Sequence, residues 1–111
     1  MKLLIVEDNE SMRGLMVKLL CDLVSSVHEC SDGREALAAY QEHRPDWVLM
    51  DIEMGQVDGL EATRLITAAF PEARICIVTN YDDEELREAA QRAGAREYVL
   101  KDQLLDVRRV L

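Results

Sequence analysis

Basic residues are scarce in this chain, which has 13 lysines and arginines against 22 aspartates and glutamates and a net charge of −9. Such a surplus of negative charge repels nucleic acid and anionic membrane surfaces, so direct binding of DNA or of a membrane is not expected. Long apolar runs are also missing. None approaches the roughly 18 residues that span a bilayer, and Met1-Lys2 leads into a short apolar run rather than a signal peptide. We expect a cytoplasmic protein.

Paired cysteines and clustered metal ligands are absent from the sequence as well. Cys21, Cys30 and Cys76 are odd in number, show no CxxC spacing and lie in apolar segments. Buried free thiols in a reducing compartment are therefore expected, rather than disulfides or a zinc site. His28 and His43 are far from each other and from the cysteines in sequence, so we assign them no metal.

Linkers, internal repeats and low-complexity segments are missing too. A chain of 111 residues with 49% apolar residues is large enough for one hydrophobic core and too apolar to be disordered. We therefore assign residues 1–111 to a single domain.

What the sequence does contain is a series of five short apolar runs, each followed by polar residues. The third run, Trp47-Val48-Leu49-Met50, ends on Asp51. A strand that is apolar on both faces is typical of the middle of a parallel sheet covered by helices. The predicted strands are residues 3–6, 27–30, 47–51, 75–79 and 98–101.

Amphipathic helix patterns separate these runs. The first helix follows the N-cap candidate Asn9, and its predicted buried stripe is Met12, Leu15, Met16, Leu19, Leu20 and Leu23. The second runs from residue 33 to about residue 42. The third runs from Gly59 to Pro71, with Leu60, Thr63, Leu65, Ile66 and Ala69 on its apolar face. The fourth follows acidic residues 82–85 and ends near Gly94. Asp102 is the predicted cap of the last helix, whose apolar face is Leu104, Leu105, Val107, Val110 and Leu111.

Five alternations of strand and helix with short connections predict an α/β fold: a five-stranded parallel sheet with helices on both faces. Ligands of such sheets collect at the carboxyl ends of the strands. The ends of strands one, three, four and five can converge on one crevice there. The residues that this would gather are Glu7, Asp8, Asp51, Thr79 and Lys101.

Carboxylates gathered in one crevice need neutralisation. A pair about 4 Å apart repels by about 4 kcal/mol at an effective dielectric constant of about 20. Lys101 supplies one positive charge, and a divalent cation can supply the rest. An open, all-oxygen site with few carboxylates favours Mg²⁺ over Ca²⁺, since no EF-hand spacing is present.

An aspartate beside Mg²⁺ and a lysine is chemically a phosphate acceptor, because it can form an acyl phosphate as a nucleophile. Thr79 could donate a hydrogen bond to a new phosphoryl oxygen. Each residue taken alone also fits a simpler interpretation: Asp51 as a turn cap, Lys101 as a solvated strand end, Thr79 as a strand former. Their joint placement at four strand ends favours the functional interpretation.

Four motifs in order resemble the receiver domain of two-component response regulators, over essentially the whole chain. They are Val6-Glu7-Asp8-Asn9, Asp51-Ile52-Glu53-Met54 with Asp58-Gly59, Thr79, and Tyr98-Val99-Leu100-Lys101. The resemblance implies the flavodoxin-like (βα)5 receiver fold. It also implies a regulatory phosphoacceptor domain that catalyses its own phosphorylation and dephosphorylation, rather than a turnover enzyme.

By this resemblance Asp51 would accept a phosphoryl group from a sensor histidine kinase or a phosphotransfer protein. Mg²⁺ would be bound by Asp8, Asp51 and the backbone carbonyl of Glu53, and by Glu7 through water. Lys101 would hold the phosphoryl group. Thr79 and Tyr98 would form a switch that alters the surface between the fourth and fifth helices.

The sequence departs from the usual family pattern at two places. Gly55 stands where proline is usual, which predicts a looser loop beside Asp51. Asp102 stands where many receivers have proline, so a cis bond is not expected there.

Lys101-Asp102 and the segment 80–85 resemble receivers that precede a helix-turn-helix DNA-binding domain. We therefore favour the receiver portion of a longer transcription regulator over a stand-alone receiver. DNA would be bound only through an output domain outside these residues, and an apolar face on the last helices could support a homodimer.

Other interpretations remain open at the level of sequence. A phosphohydrolase of the haloacid dehalogenase type also uses a strand-end aspartate, a threonine and a lysine. Against it, its second aspartate is replaced by Glu53 and Glu7-Asp8 would have no role. A flavodoxin-like cofactor binder would need a phosphate cradle rich in Gly, Ser or Thr, which is lacking. For a receiver, we hypothesise that Glu53, which with Tyr81 flanks the path of the attacking water, slows loss of the phosphoryl group.

Overall fold

A computed structural model of the chain describes residues 1–54 and 58–111. Within these residues, five parallel strands form one sheet in the order β2-β1-β3-β4-β5. The predicted α/β fold is confirmed. The strands are β1 (Lys2–Val6), β2 (Ser26–Cys30), β3 (Trp47–Asp51), β4 (Ile75–Thr79) and β5 (Glu97–Leu100).

The helices occupy both faces of the sheet. They are α1 (Glu10–Leu20), α2 (Ala36–His43), α3 (Gly59–Ala69), α4 (Glu84–Ala93) and the short α5 (Val107–Val110). A 3₁₀ turn, Gly33–Glu35, precedes α2, and a longer 3₁₀ segment, Lys101–Asp106, connects β5 to α5.

Alternate residues of each strand point to opposite faces of the sheet, where they belong to two hydrophobic cores. Val48 and Ile77 belong to the core under α2, α3 and α4, whereas Leu49 and Val78 belong to the core under α1 and α5. All residues of β3 and β4 are buried. These two central strands therefore place their polar carboxyl ends, Asp51 and Thr79, at a well-supported edge of the sheet.

The helix caps largely follow the sequence. Asn9 accepts a hydrogen bond from the Met12 N–H, and Gly94 at the end of α4 has a positive φ of 107°. Asp102 is a correction, because it lies inside the 3₁₀ segment Lys101–Asp106 and the N-cap of α5 is Asp106. Lys101 begins that segment, since β5 already ends at Leu100.

Three leucines predicted to face the core are exposed: Leu15 (45%), Leu65 (39%) and Leu105 (64%). The helices carrying them pack against the sheet from one side only, so a narrower stripe is buried than the apolar residues suggest. On α1 the buried residues are Met16 and Leu20.

The cysteines and histidines bring two further corrections. Cys30 and Cys76 are buried free thiols, as expected, but Cys21 is exposed because it follows the last turn of α1. His28 and His43, distant in sequence, have stacked rings with centroids 3.4 Å apart because α2 packs on β2.

Two other sequence expectations concern the membrane and the loop after β3. Every helix among residues 1–54 and 58–111 is too short or too polar to cross a bilayer. The expectation about Gly55 lies outside the described residues.

Candidate functional site

A crevice of about 150 Å³ opens at the carboxyl edge of the sheet. Asp51 is the last residue of β3 and Thr79 the last of β4, while Lys101 directly follows β5. The loop after β1 adds the acidic pair. The structure therefore brings together the site residues that the sequence predicted. The lining residues are Asp8, Asp51, Glu53, Thr79, Asn80, Tyr81 and Lys101.

The base of the crevice is a buried ionic cluster. Glu7 is 0% exposed and Asp51 is 3% exposed. The ammonium nitrogen of Lys101 lies 2.8 Å from Glu7 Oε1 and 3.1 Å from Asp51 Oδ1. With Asp8 at the mouth, three carboxyl groups face one ammonium group, so negative charge is in excess.

Burial is the main reason that the pKa of Asp51 is raised to about 7, and Glu7 adds to the rise while Lys101 opposes it. Burial would also raise the pKa of Glu7, but hydrogen bonds from Lys101, Asp51 and the Asn9 N–H outweigh it and lower that pKa. Burial would lower the pKa of Lys101, yet Glu7 and Asp51 raise it. The cluster therefore holds one ammonium and one firmly ionised carboxylate, and Asp51 titrates near neutral pH.

The carboxylates suit a divalent cation. One oxygen from each of Glu7, Asp8 and Asp51 can be chosen so that all three lie within 4.8 Å of one another. Desolvation, together with the neighbouring Glu7, raises the pKa of Asp8. An all-oxygen donor set with surplus negative charge fits a hard cation such as Mg²⁺. This acidic cluster could hold a metal.

Backbone contacts fix the loop that carries Glu7 and Asp8. The Glu7 N–H donates to the carbonyl of Cys30 (3.0 Å), and the Asn9 N–H donates to Glu7 Oε2 (3.2 Å). The acidic loop is thus attached to β2 and to the start of α1.

Gly59 explains the Asp58-Gly59 motif. A Cβ atom at position 59 would lie 1.9 Å from the carbonyl oxygen of Asp51, and the Gly59 N–H donates to the Ile52 carbonyl at 2.8 Å. Asp58 caps α3 through the N–H of Glu61. Only glycine allows α3 to begin this close to Asp51.

Thr79 and Tyr98 meet through the backbone of Tyr81. The Tyr81 N–H donates to Thr79 Oγ1 at 3.3 Å, and the Tyr98 hydroxyl donates to the Tyr81 carbonyl at 2.6 Å. The guanidinium of Arg87 on α4 lies 4.5 Å from the centre of the Tyr98 ring. A change at Thr79 therefore has a short physical route to α4.

Glu53 and Tyr81 form one wall of the crevice. A hydrogen bond to Glu53 is the main reason that the pKa of the Tyr81 phenol is raised. Both side chains line the space above Asp51. Asn80, which the sequence interpretation did not single out, lines the same space.

Comparison with known proteins decides the family. A family model described as response regulator receiver domain matches residues 3–108. The chain belongs to this family. It is 38% identical over 104 residues to the uncharacterized transcriptional regulatory protein YhcZ of Bacillus subtilis, covering 92% of this chain and 49% of that protein. It is also 38% identical over 100 residues to the chemotaxis protein CheY of Halobacterium salinarum, covering 90% of this chain and 83% of that protein.

A solved response regulator structure has the same fold. A LuxR-family two-component response regulator from Aurantimonas sp. SI85-9A1 superposes with a TM-score of 0.88 at 29% identity, covering 98% of this chain and 82% of that one. This chain is therefore a receiver domain of two-component response regulators, with a regulatory role in phosphorelay signalling. Its relatives include transcriptional regulators such as YhcZ, of whose length it spans about half. Nothing favours the haloacid dehalogenase interpretation.

Proposed function

We propose that the receiver takes a phosphoryl group from a histidine kinase or a phosphotransfer protein onto Asp51. The observation that carries this proposal is the buried contact of Lys101 with both Glu7 and Asp51, beside the exposed Asp8. A site with one lysine and a surplus of carboxylates is suited to a cation and a phosphoryl group entering together.

In this reaction an oxygen of the Asp51 carboxylate attacks phosphorus, and the bond from phosphorus to the donor's imidazole nitrogen breaks. An acyl phosphate forms on Asp51, and the donor histidine keeps the electron pair of the broken bond. Ionised Asp51 is the reactive form. Because the pKa of Asp51 is about 7 in the absence of metal, added positive charge at the site favours reaction at neutral pH.

Mg²⁺ is the proposed cofactor, since receiver domains typically bind it and the acidic cluster fits it. Asp8 and Asp51 would be direct ligands, with the backbone carbonyl of Glu53, and Glu7 would act through water. When bound, the ion would neutralise phosphoryl oxygens during transfer. Lys101, already 3.1 Å from Asp51 Oδ1, would hold a phosphoryl oxygen by a charge-assisted hydrogen bond.

Phosphorylation would then move Thr79 and Tyr98. The new group brings about −1.5 to −2 units of charge, and the Thr79 hydroxyl would donate to it. That would change the Tyr81 backbone that now contacts both residues. The surface between α4 and α5 would carry the signal.

The proposal extends to the setting of the domain. Residues 1–111 would act as a receiver in a longer regulator, and DNA would be bound through an output domain outside these residues. Dimerisation through the last helices would be compatible with the exposed Leu105. The free thiols Cys30 and Cys76 support a reducing, cytoplasmic location.

Intact mass analysis after treatment with acetyl phosphate and Mg²⁺ tests the proposed function. The wild-type chain should gain one phosphoryl group, and Asp51→Asn should gain none because an amide is a poor nucleophile. Removing Mg²⁺ with EDTA should prevent the gain in the wild type. Equal modification of Asp51→Asn and wild type would overturn the assignment of Asp51.

A further inference from the structure

Arg13, in the second turn of α1, lies outside the crevice but reaches back to the acidic loop. Its Nη1 donates to the carbonyl oxygen of Glu7 at 2.8 Å. Its Nε donates to Glu29 Oε1 on β2 at 3.3 Å. The Arg13 side chain is 19% exposed and that of Glu29 is 47% exposed. One guanidinium therefore connects α1, the acidic loop and β2.

The carbonyl that Arg13 holds belongs to the peptide joining Glu7 to Asp8. The other backbone polar group of Glu7, its N–H, is held by Cys30 at 3.0 Å. With both groups held, rotation of the Glu7-Asp8 peptide is restrained. Asp8 starts from that peptide, so the direction of its carboxylate depends on it.

The restraint on the Glu7-Asp8 peptide opposes the electrostatic repulsion among the three carboxylates. Glu7, Asp8 and Asp51 each offer a carboxylate oxygen within 4.8 Å of the others, and like charges this close repel one another. Repulsion favours any rotation that carries the exposed Asp8 carboxylate away from Glu7 and Asp51. Holding the peptide opposes that rotation and keeps the three carboxylates close together.

We propose that Arg13, itself anchored by Glu29, is a positioning residue that preorganises the acidic loop for Mg²⁺. The inference rests on the proposed metal site. Among the described residues, the side-chain hydrogen bonds of Arg13 go to Glu29 and to the Glu7 carbonyl, so Arg13 would act on the acidic loop through that carbonyl. Groups that orient metal ligands typically change metal affinity when they are removed.

The chain offers a matched control at the neighbouring strand end. Arg34 forms a comparable ion pair, with its Nε 3.2 Å from Asp32 Oδ2 and its side chain 58% exposed. Its hydrogen bonds among the described residues are local, from its N–H and Nε to the Asp32 side chain. Exposed pairs of this kind contribute little to stability. Arg34→Met therefore removes an arginine and an ion pair without touching the acidic loop.

The experiment titrates Mg²⁺ into wild type, Arg13→Met and Arg34→Met by calorimetry, with thermal unfolding recorded for each. Arg13→Met should weaken Mg²⁺ binding by about tenfold, the low end of the loss typical of outer groups that orient ligands. Arg34→Met should bind as the wild type does. Saturating Mg²⁺ should restore the rate of phosphorylation by acetyl phosphate in Arg13→Met.

Two conservative variants extend the test and replace Arg13→Met if that variant does not fold. Arg13→Lys keeps the positive charge but replaces the planar guanidinium fork by a single ammonium, so it should show an intermediate loss. Glu29→Gln leaves Arg13 in place without its anchoring charge and should show a smaller loss.

Unchanged Mg²⁺ affinity in the Arg13 and Glu29 variants, or equal losses in the Arg13 and Arg34 variants, would overturn the inference while leaving the proposed function intact. Failure of the wild type to bind Mg²⁺ would overturn both.

Discussion

The charged groups at the two ends of β3 differ in exposure and in balance: an exposed ion pair lies at the amino end, and a buried cluster with excess negative charge lies at the carboxyl end. At the amino end, Arg74 pairs with Asp46 at 3.8 Å and lies 5.4 Å from the ring centre of Trp47, and the paired side chains are 42% and 47% exposed. At the carboxyl end, the side chains of Lys101 and Asp51 are 10% and 4% exposed, and carboxylates outnumber the lysine.

The two ends differ in what their charges do to the free energy of unfolding. A solvated, matched pair such as Arg74–Asp46 contributes about 0–1 kcal/mol. A buried cluster with surplus charge of one sign destabilises the fold unless a cation or protons neutralise it. The surplus of buried negative charge at the carboxyl edge of the sheet is therefore a cost to the stability of the fold, and it is this charge that the proposed function would use.

Lys101→Ala should have the largest effect on this comparison. It would leave the Glu7 and Asp51 carboxylates buried without the ammonium group that pairs with them, which typically costs about 3–5 kcal/mol of folding stability. Phosphorylation should also weaken, because Lys101 no longer holds the phosphoryl group. Urea unfolding without metal measures the first effect, and Mg²⁺ should recover part of the loss.

Arg74→Ala at the opposite edge is the control. It should cost less than about 1 kcal/mol and leave phosphorylation unchanged. The comparison fails if the two substitutions destabilise the chain equally.

Stability against pH gives the next largest effect. The carboxyl of Asp51 has an ordinary pKa of 3.8 and a folded pKa of about 7, so between these values the folded chain binds more protons than the unfolded chain. The free energy of unfolding without metal should therefore fall by about 3 kcal/mol as pH rises from about 4 to about 7. Urea unfolding across this range measures it.

Asp51→Asn and saturating Mg²⁺ should each remove most of that slope. The lowered pKa of Glu7 acts in the opposite sense and matters only at the acid end, where its contribution is lost as pH falls below the ordinary value of 4.5. Identical slopes in wild type and Asp51→Asn would show that the raised pKa does not belong to Asp51.

Thr79→Ala tests the conformational switch separately from the phosphorylation of Asp51. The variant should still form the adduct but lose a hydrogen bond to a charged group, worth about 1.5–3 kcal/mol. The ratio of switched to unswitched molecules should therefore fall by roughly 10- to 100-fold. Chemical shifts of Tyr98 and α4 before and after phosphorylation measure it.

Tyr98→Phe keeps the aromatic ring and removes the hydrogen bond to the Tyr81 carbonyl, so it should alter the same shifts without blocking phosphorylation. A full response of α4 in Thr79→Ala would remove Thr79 from the switch.

Glu53→Gln should have the smallest effect. Gln has nearly the same shape but lacks the negative charge that we expect to discourage attacking water. Dephosphorylation should become roughly twofold to threefold faster, equivalent to about 0.5 kcal/mol in the barrier. The decay of phosphorylated wild type and Glu53→Gln, followed by mass analysis, provides the rates.

Tyr81→Phe, which keeps the Glu53 charge and removes only the phenol hydroxyl, is the matched comparison. An unchanged or slower decay in Glu53→Gln rejects the hypothesis.

The sheet was the most predictable part of the molecule. Buried parallel strands are short apolar runs ended by polar residues, so the predicted bounds lie within one residue of those observed. The meeting of Glu7, Asp51 and Lys101 followed because parallel topology brings strand ends to one edge.

Contacts made by side chains across the fold were not predictable in the same way. The His28–His43 stack and the reach of Arg13 to the Glu7 carbonyl depend on how α2 and α1 pack on the sheet. Periodicity also overstated burial at Leu15 and Leu65, because it marks apolar residues and not the width of the contact. The need for glycine at position 59 became clear only from the distance to Asp51.

Locating the phosphoryl group by its chemistry tests the central claim most directly. Borohydride reduces an aspartyl phosphate to homoserine, so peptide mass analysis of the phosphorylated, reduced chain identifies the acceptor by position. We predict homoserine at position 51 alone, and only in samples phosphorylated with Mg²⁺ present. Homoserine at another aspartate, or phosphate retained on a hydroxyl or imidazole with position 51 unchanged, would contradict the account.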